Sequence, residues 1–365
     1  MATEVVAYEW HTISTLCAIA HIGLKCGQIK TVITSFTPMT TAQSEFIQLY
    51  QADDHPLRAE LSAGLLATSA FTSPKYFYDA LGSKLFAAIC ELPEYYLART
   101  EASIFDTYLN EIAETVGVGS ALIDLGAGNC AKAARLFSAL QPAQYVPIDI
   151  SVDFLREAVG DLQQRFPHIK MTALGMDFSS SLQLPDAVRR SKRLFFYPGS
   201  SIGNFTPDEA VAFFRRIRDA CDGDGGVLIG VDLIKDSRFL NAAYNDTLGV
   251  TASFNLNLLL HLNNLLDANF DVREWKHSSF FNTSKNRIEM YLEARHTLTV
   301  QWQGGERRFL AGERIHTENS YKYTPDNFVQ LLQQSGLTVT RTWSDHNNYF
   351  MVCHARVMQA RSLAQ

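Results

Sequence analysis

A doubly wound α/β core interrupted by a second, α+β domain is the fold class this sequence predicts, on three observations. Short apolar runs alternate with amphipathic helical stretches from about residue 100 to 233, which builds βαβ units and a parallel sheet covered on both faces. Between 234 and 322 the apolar period changes to two, the mark of a half-exposed antiparallel sheet. The first pattern then resumes after 323 and finishes on two neighbouring strand runs. A chain of 365 residues also suggests about two domains.

The elements follow in order. Ser120–Leu125 is an apolar run entering the turn Gly126-Ala127-Gly128, and Ala131–Leu140 reads as a helix. Tyr145–Ile150 is a second strand. After it Leu155, Ala158, Leu162 and Phe166 recur at helical spacing, with Ser151 as N-cap and Pro167 as stop. Lys170–Phe178, Arg193–Tyr197 and Gly225–Leu233 are further strands. Thr206-Pro207-Asp208-Glu209 opens a helix with a capping box and proline in the first turn. Asn241–Phe270 reads as mostly helical, and Phe270–Phe281, Arg287–Trp302 and Arg308–Tyr323 as strands, with turns at Asn282–Asn286 and Gly304-Gly305. Thr324-Pro325 caps a helix stopped by Gly336, and Leu337–Trp343 and Tyr349–Val357 close the chain as strands. The division expected is 1–38 an extension or disordered arm, ahead of an ordinary-looking start at Met39. Residues 39–99 and 234–322 form a substrate-binding domain, and 100–233 with 323–365 the core.

Composition narrows the function. Thirty-two Lys and Arg against thirty-eight Asp and Glu leave a net charge of −6, which disfavours nucleic acid or an acidic membrane surface as partner. Six dispersed cysteines and ten histidines without metal-ligand spacing point to reduced thiols in a cytoplasmic protein with no metal. Thr12–Leu24 comes nearest to a membrane span, but it is short and interrupted by His21.

The cofactor signal sits at successive strand ends. Gly126 and Gly128 allow a tight turn and close backbone approach. Asp149 ends the second strand, where an acid can accept from both ribose hydroxyls, and Asp177-Phe178 ends the third, where an acid and an aromatic ring suit adenine. NAD and S-adenosylmethionine (SAM) both fit such a site. The missing third glycine and the terminal hairpin resemble the class I methyltransferase pattern more than the dehydrogenase one.

Further segments carry a closer resemblance. They are Ser73–Ser83 (SPKYFYDALGS), Leu92–Tyr96, Arg99–Glu101, Pro198–Asn204 (PGSSIGN), Gly230–Asp236, Arg287–Leu292 and Thr317–Lys322. In this order and spacing they resemble the histidine Nα-methyltransferases of ergothioneine biosynthesis, from about residue 60 to 357. The resemblance implies a class I (Rossmann-like) SAM methyltransferase core with a second α+β substrate-binding domain. It implies trimethylation of the α-amine of L-histidine to hercynine, leaving S-adenosylhomocysteine; a monomer is expected. Carried over by position, it assigns Tyr78, Gly126, Gly128, Lys132, Asp149, Asp177 and Phe178 to the cofactor. Asn204 and Tyr244 go to the substrate carboxylate, Gly199 to the amine, and Tyr95, Met290, Glu318 and Ser320 to the imidazole. Tyr78 stands at the junction as the residue that orients the amine and relays a proton.

These residue types suit those tasks on their own chemistry. Glu318 and Ser320 are two apart on a strand, so both point to one face. An acid beside a hydroxyl can engage both nitrogens of one imidazole. Met290 offers a thioether to a flat ring. Taken singly, Asn204 is a turn residue, Met290 core packing, Glu318 a solvated acid, and Tyr78 and Tyr95 core tyrosines. Their joint occurrence in order favours the functional reading. The alternative is an Nα-methyltransferase of another aromatic amine, such as a tryptophan derivative. An indole would leave one of the Glu318/Ser320 pair unmatched.

Overall fold

The computed structural model describes residues 44–49 and 54–357. The extension expected over 1–38 and the start at Met39 lie outside the described residues.

The chain runs β1 (Glu45–Gln48), α1 (Asp54–Leu66), α2 (Ala80–Cys90), α3 (Tyr96–Val116) and β2 (Ala121–Leu125). Next come α4 (Ala131–Ala134), α5 (Phe137–Leu140), β3 (Gln144–Asp149), α6 (Val152–Arg165), β4 (Lys170–Gly175) and β5 (Arg193–Tyr197). They are followed by α7 (Pro207–Ala220), β6 (Gly225–Asp232), α8 (Ser237–Tyr244) and α9 (Val250–Leu266). β7 (Trp275–Asn282), β8 (Arg287–Ala294), β9 (Leu298–Trp302), β10 (Gly305–Phe309) and β11 (Arg314–Tyr321) come after, then α10 (Pro325–Gln334), β12 (Leu337–Ser344) and β13 (Phe350–Val357).

Eight strands form one sheet in the order β1-β4-β3-β2-β5-β6-β13-β12. β13 runs antiparallel to β6 and β12, whereas the strands from β1 to β6 pair in parallel. This is a Rossmann-like core, a doubly wound parallel sheet closed by an antiparallel hairpin, accompanied by additional α+β structure. The order reverses between β2 and β5, which opens a crevice beyond the strands' carboxyl ends, where such sheets bind ligands.

Every residue of β2 and of β5 is buried, as a strand covered on both faces requires. On one side Ile123, Phe195 and Val227 pack with Phe213, Phe214 and Ile217 of α7 and Phe328 of α10. On the other, Leu122, Phe196 and Leu228 join Ile104 and Phe105 of α3. Each such side chain contributes roughly 1.5–3 kcal/mol by leaving water. The capping box at Thr206 and Glu209 is present.

A second, antiparallel sheet has the order β11-β8-β7. Ile288, Met290, Leu292 and Ala294 give β8 one apolar buried face, and α9 packs on β7 and β8. The chain leaves the large sheet at Leu233 and returns at Tyr323, and those two residues are bridged to each other.

Several boundaries differ from the sequence expectation. The helix over 131–140 is two short ones, because Leu136 N–H tightens onto the Ala133 carbonyl at 2.9 Å. The strand of 287–302 breaks at Arg295–Thr297 into β8 and β9, and that of 308–323 at Leu310–Glu313, where Gly312 turns with φ +80°. β4 ends at Gly175, so Asp177 and Phe178 lie just past the strand. Residues 45–48, grouped by sequence with the substrate-binding part, form an edge strand of the large sheet.

Candidate active site

The side expected to take the cofactor is built by the turn after β2. Gly126 and Gly128 both have positive φ, +70° and +52°, which side chains disfavour. Gly126 and Ala127 donate to the Ile148 carbonyl at 2.9 and 3.0 Å, pinning the turn to the end of β3. There Asp149 accepts from Gly128 N–H and Ser151 N–H, each at 2.9 Å. Burial raises its pKa, and those backbone donors oppose the rise. Asp177 accepts from Ser179 N–H at 2.9 Å and lies 3.6 Å from the Lys75 ammonium. A Cβ placed on Gly126 would stand 3.8 Å from the Phe178 ring, so the glycine turn and this aromatic face each other. Asp124, within the motif itself, turns inward instead: it is buried and accepts from the Tyr145 hydroxyl at 2.7 Å.

Glu101 links this side to the next segment. Its buried carboxylate accepts from Lys132 Nζ at 2.7 Å and from Gly199 N–H at 2.7 Å. Burial works against the Lys132 charge, but Glu101 holds its pKa above the ordinary value. A Cβ on Gly230 would come 2.2 Å from Glu101 Oε1, which explains a glycine inside β6. In the sequence Glu101 stands only as the last residue of the Arg99–Glu101 segment, with no local sign of this role.

The side expected to take the substrate is built on β11. Glu318 and Met290 are register partners, and Ser320 pairs with Ile288 on the same face. The turn Ser201–Asn204 presses against this strand because Gly203 has no side chain; a Cβ there would meet the Tyr321 carbonyl oxygen at 2.8 Å. With its amide nitrogen toward β11, Asn204 donates to Glu318 Oε1 and to the Asn319 carbonyl, both at 3.1 Å. Burial pushes Glu318 up to about 7, against the pull of Lys322 and Asn204. Tyr244 donates to Ser320 Oγ at 2.8 Å. Its backbone carbonyl accepts from Ser279 Oγ at 3.0 Å and lies 2.9 Å from His277 Nε2.

Aromatic rings join the two sides. Tyr78 lies 5.7 Å from Phe86, Phe86 6.2 Å from Tyr95, and Tyr95 6.3 Å from Tyr244, all edge-on. Tyr78 is also tied to the cofactor side, since its carbonyl accepts from Ser151 Oγ at 3.0 Å. Burial first, then the nearby Glu318 carboxylate, raises its phenol well above the ordinary value, so it stays protonated. The expected residues thus gather at two linked poles, with Tyr78 between them.

A charged cluster lies beneath Tyr244 and Ser320. Lys322 is buried there, 2.8 Å from Asp232 Oδ2. Tyr96 donates to Asp232 at 2.8 and 2.7 Å, and Lys235 pairs with the same carboxylate. An acid ending the otherwise apolar run of β6 was the available signal. A separate cleft of about 620 Å³ opens beside Arg287, Tyr291, Arg314 and His316, on the other face of the three-stranded sheet. Its arginines are already paired with Glu289 and Glu293. Among the described residues no group of three or more His, Cys, Asp or Glu comes together as a metal site would require.

The donor set fits an adenosine-bearing sulfonium. Asp149 and Asp177 offer acceptors to hydroxyls and an amine, Phe178 a ring face, and the glycine turn room for close approach.

Residues 57–357 match the family model described as "Histidine-specific methyltransferase, SAM-dependent". A histidine N-alpha-methyltransferase of Mycolicibacterium smegmatis is 38% identical over 79% of this chain and 91% of its own. A 4-dimethylallyltryptophan N-methyltransferase of Arthroderma benhamiae is 24% identical over 78% of this chain and 88% of its own. Among solved structures, the CcbJ methyltransferase of Streptomyces caelestis aligns with a TM-score of 0.42 at 12% identity, over 69% of this chain and 95% of its own.

Proposed function

The chain belongs to the SAM-dependent, histidine-specific methyltransferase family, and from that premise we propose that it trimethylates the α-amine of L-histidine to hercynine, the first step of ergothioneine biosynthesis. The observation that carries this reading is the pairing of Glu318 with Ser320 on one face of β11, beside Met290. An acceptor and a hydroxyl side by side suit the two nitrogens of an imidazole, and the thioether suits its ring face.

In this reading Tyr244 and Asn204 hold the substrate carboxylate, the Asn204 amide turning toward it from Glu318 and Asn319, while Gly199 lies near the amine and Tyr95 closes the ring pocket. SAM, held by Gly126, Gly128, Lys132, Asp149, Asp177 and Phe178, supplies an electrophilic methyl group. The protein's own share is placement: an amine fixed in line and close to its partner gains most of what catalysis needs here. Each transfer requires a neutral nitrogen, so a proton leaves before every step. Tyr78, protonated and set between the two poles, orients the amine and passes that proton on. Its neighbouring rings suit the final quaternary cation. We assign residues 54–99 and 234–322 to substrate binding, 45–48, 100–233 and 323–357 to the core, and a single chain to the working unit.

The 4-dimethylallyltryptophan relative favours a second reading, with an indole amine as substrate. Against it stands the Glu318/Ser320 pair, since an indole has one N–H and no bare nitrogen. Incubation with SAM and a panel of free amino acids and amines, read by mass for one, two and three added methyl groups, decides. Three methyl groups on histidine support the proposal; methylation of tryptophan derivatives with histidine untouched refutes it.

A further inference from the structure

The buried cluster under the substrate pole has a directional consequence. Lys322 Nζ is placed to donate to Asp232 Oδ2 at 2.8 Å, Ser320 Oγ at 2.8 Å and Tyr244 Oη at 3.2 Å. An ammonium has three N–H donors and no acceptor, so these three partners use it completely. Ser320 and Lys322 are both buried, and Lys322 has no exposed side-chain surface. Burial opposes its charge, but the Asp232 carboxylate raises its pKa above that of an ordinary lysine, so it stays a cation. The rest of Asp232 is occupied by Tyr96 and Lys235.

A hydroxyl oxygen that accepts from Lys322 keeps its own proton for another partner. In this structure the two hydroxyls spend one of those protons on each other, Tyr244 donating to Ser320 at 2.8 Å. We infer that Lys322 is a positioning residue that sets the Tyr244 and Ser320 hydroxyls as donors toward the substrate, Tyr244 to its carboxylate and Ser320 to a bare ring nitrogen. The inference rests on the amino-acid substrate proposed above. When that substrate arrives, the Tyr244–Ser320 bond opens and two charge-supported donors replace it. The ring's single N–H then belongs to Glu318 and its lone pair to Ser320, so the pocket takes one neutral tautomer. An indole would leave the Ser320 donor unpaired, which is costly in a buried site.

The test titrates L-histidine into protein saturated with S-adenosylhomocysteine, alongside steady-state kinetics. Lys322→Met is expected to weaken histidine binding at least tenfold and raise its KM. Affinity for S-adenosylhomocysteine should stay within twofold. In a Ser320→Ala background the same substitution should cost no more than about threefold, because one of its two acceptors is gone. Equal losses in both backgrounds would show a merely structural role and overturn the inference. Lys235→Met removes the other cation from Asp232 without touching either hydroxyl, and should lower Tm while histidine affinity stays within twofold. A loss matching that of Lys322→Met also overturns the inference. If Lys322→Met does not fold, Lys322→Gln replaces it in the same pair of backgrounds, with the same non-additivity expected and additivity contradicting it. Wild-type protein that binds S-adenosylhomocysteine but no histidine defeats the substrate reading and this inference together. Wild-type binding with unaffected variants defeats this inference alone.

Discussion

The carboxyl end of the parallel sheet and the inner face of the three-stranded sheet solve the same problem, holding a polar ligand, by different means. At the sheet end the ligating groups are backbone turns and acids oriented by backbone N–H groups, as Asp149 is by those of Gly128 and Ser151. On β11 they are side chains fixed by groups distant in sequence: Tyr244 and Lys322 meet across 78 residues, and Asn204 reaches Glu318 from another element. Under the proposed function the first arrangement serves a ligand common to many enzymes, and the second selects one substrate. Substitutions on the two sides should therefore separate, one set acting on SAM and the other on the methyl acceptor.

The largest effect is expected from Glu318→Ala. Removing a desolvated acid that accepts the ring N–H costs about 3 kcal/mol, so kcat/KM for histidine should fall roughly 100-fold while KM for SAM is unchanged. Unaltered kinetics on histidine would take Glu318 out of the pocket. Gly203→Ala comes next. Its Cβ would overlap the Tyr321 carbonyl oxygen at 2.8 Å, and relieving such crowding costs about 2 kcal/mol. A fall in Tm with weaker histidine binding is expected; a fully stable, active variant would show that the turn need not press on β11. On the opposite side, Asp149→Asn should raise KM for SAM about tenfold, near 1.4 kcal/mol, and leave histidine affinity alone. An effect on histidine of equal size would erase the contrast between the regions.

The smallest effect is one of pH. Glu318 lies at about 7 in the folded chain against 4.5 ordinarily, so the folded state holds a proton that the unfolded chain releases between those values. Stability from this group is complete below pH 4.5 and declines as pH rises to about 7. Because the side chain retains some solvent contact, the loss is about 1 kcal/mol rather than the full shift. Denaturant melts at pH 5 and pH 8 should show it in wild type and not in Glu318→Gln. Stability rising across that window through Glu318 would contradict its burial as the cause.

The same contrast explains what could be read from sequence. Local patterns located the core: the capping box at Thr206, the turn glycines, and the acids after successive strands all stand where turn chemistry puts them. The turn at Gly304 was legible for the same reason, with φ +92°. Glu318 and Ser320 were legible as a pair because strand geometry puts residues two apart on one face. Their supports were not. Lys322 and Asp232 are charged residues whose pairing follows from how β6 and β11 dock, which no local period encodes. Glu101 was hidden likewise, since a helix acid gives no sign that it will bridge Lys132 to Gly199. The division of residues 287–302 escaped notice because the period of two continues across the break between β8 and β9.

The central claim is that the acid and hydroxyl on β11 choose an imidazole. The most direct measurement is a competition: wild-type protein, SAM, and equal concentrations of L-histidine and L-tryptophan, with products followed by mass. Histidine should carry three methyl groups while tryptophan stays unmodified. Comparable methylation of both, or of tryptophan alone, would contradict the account.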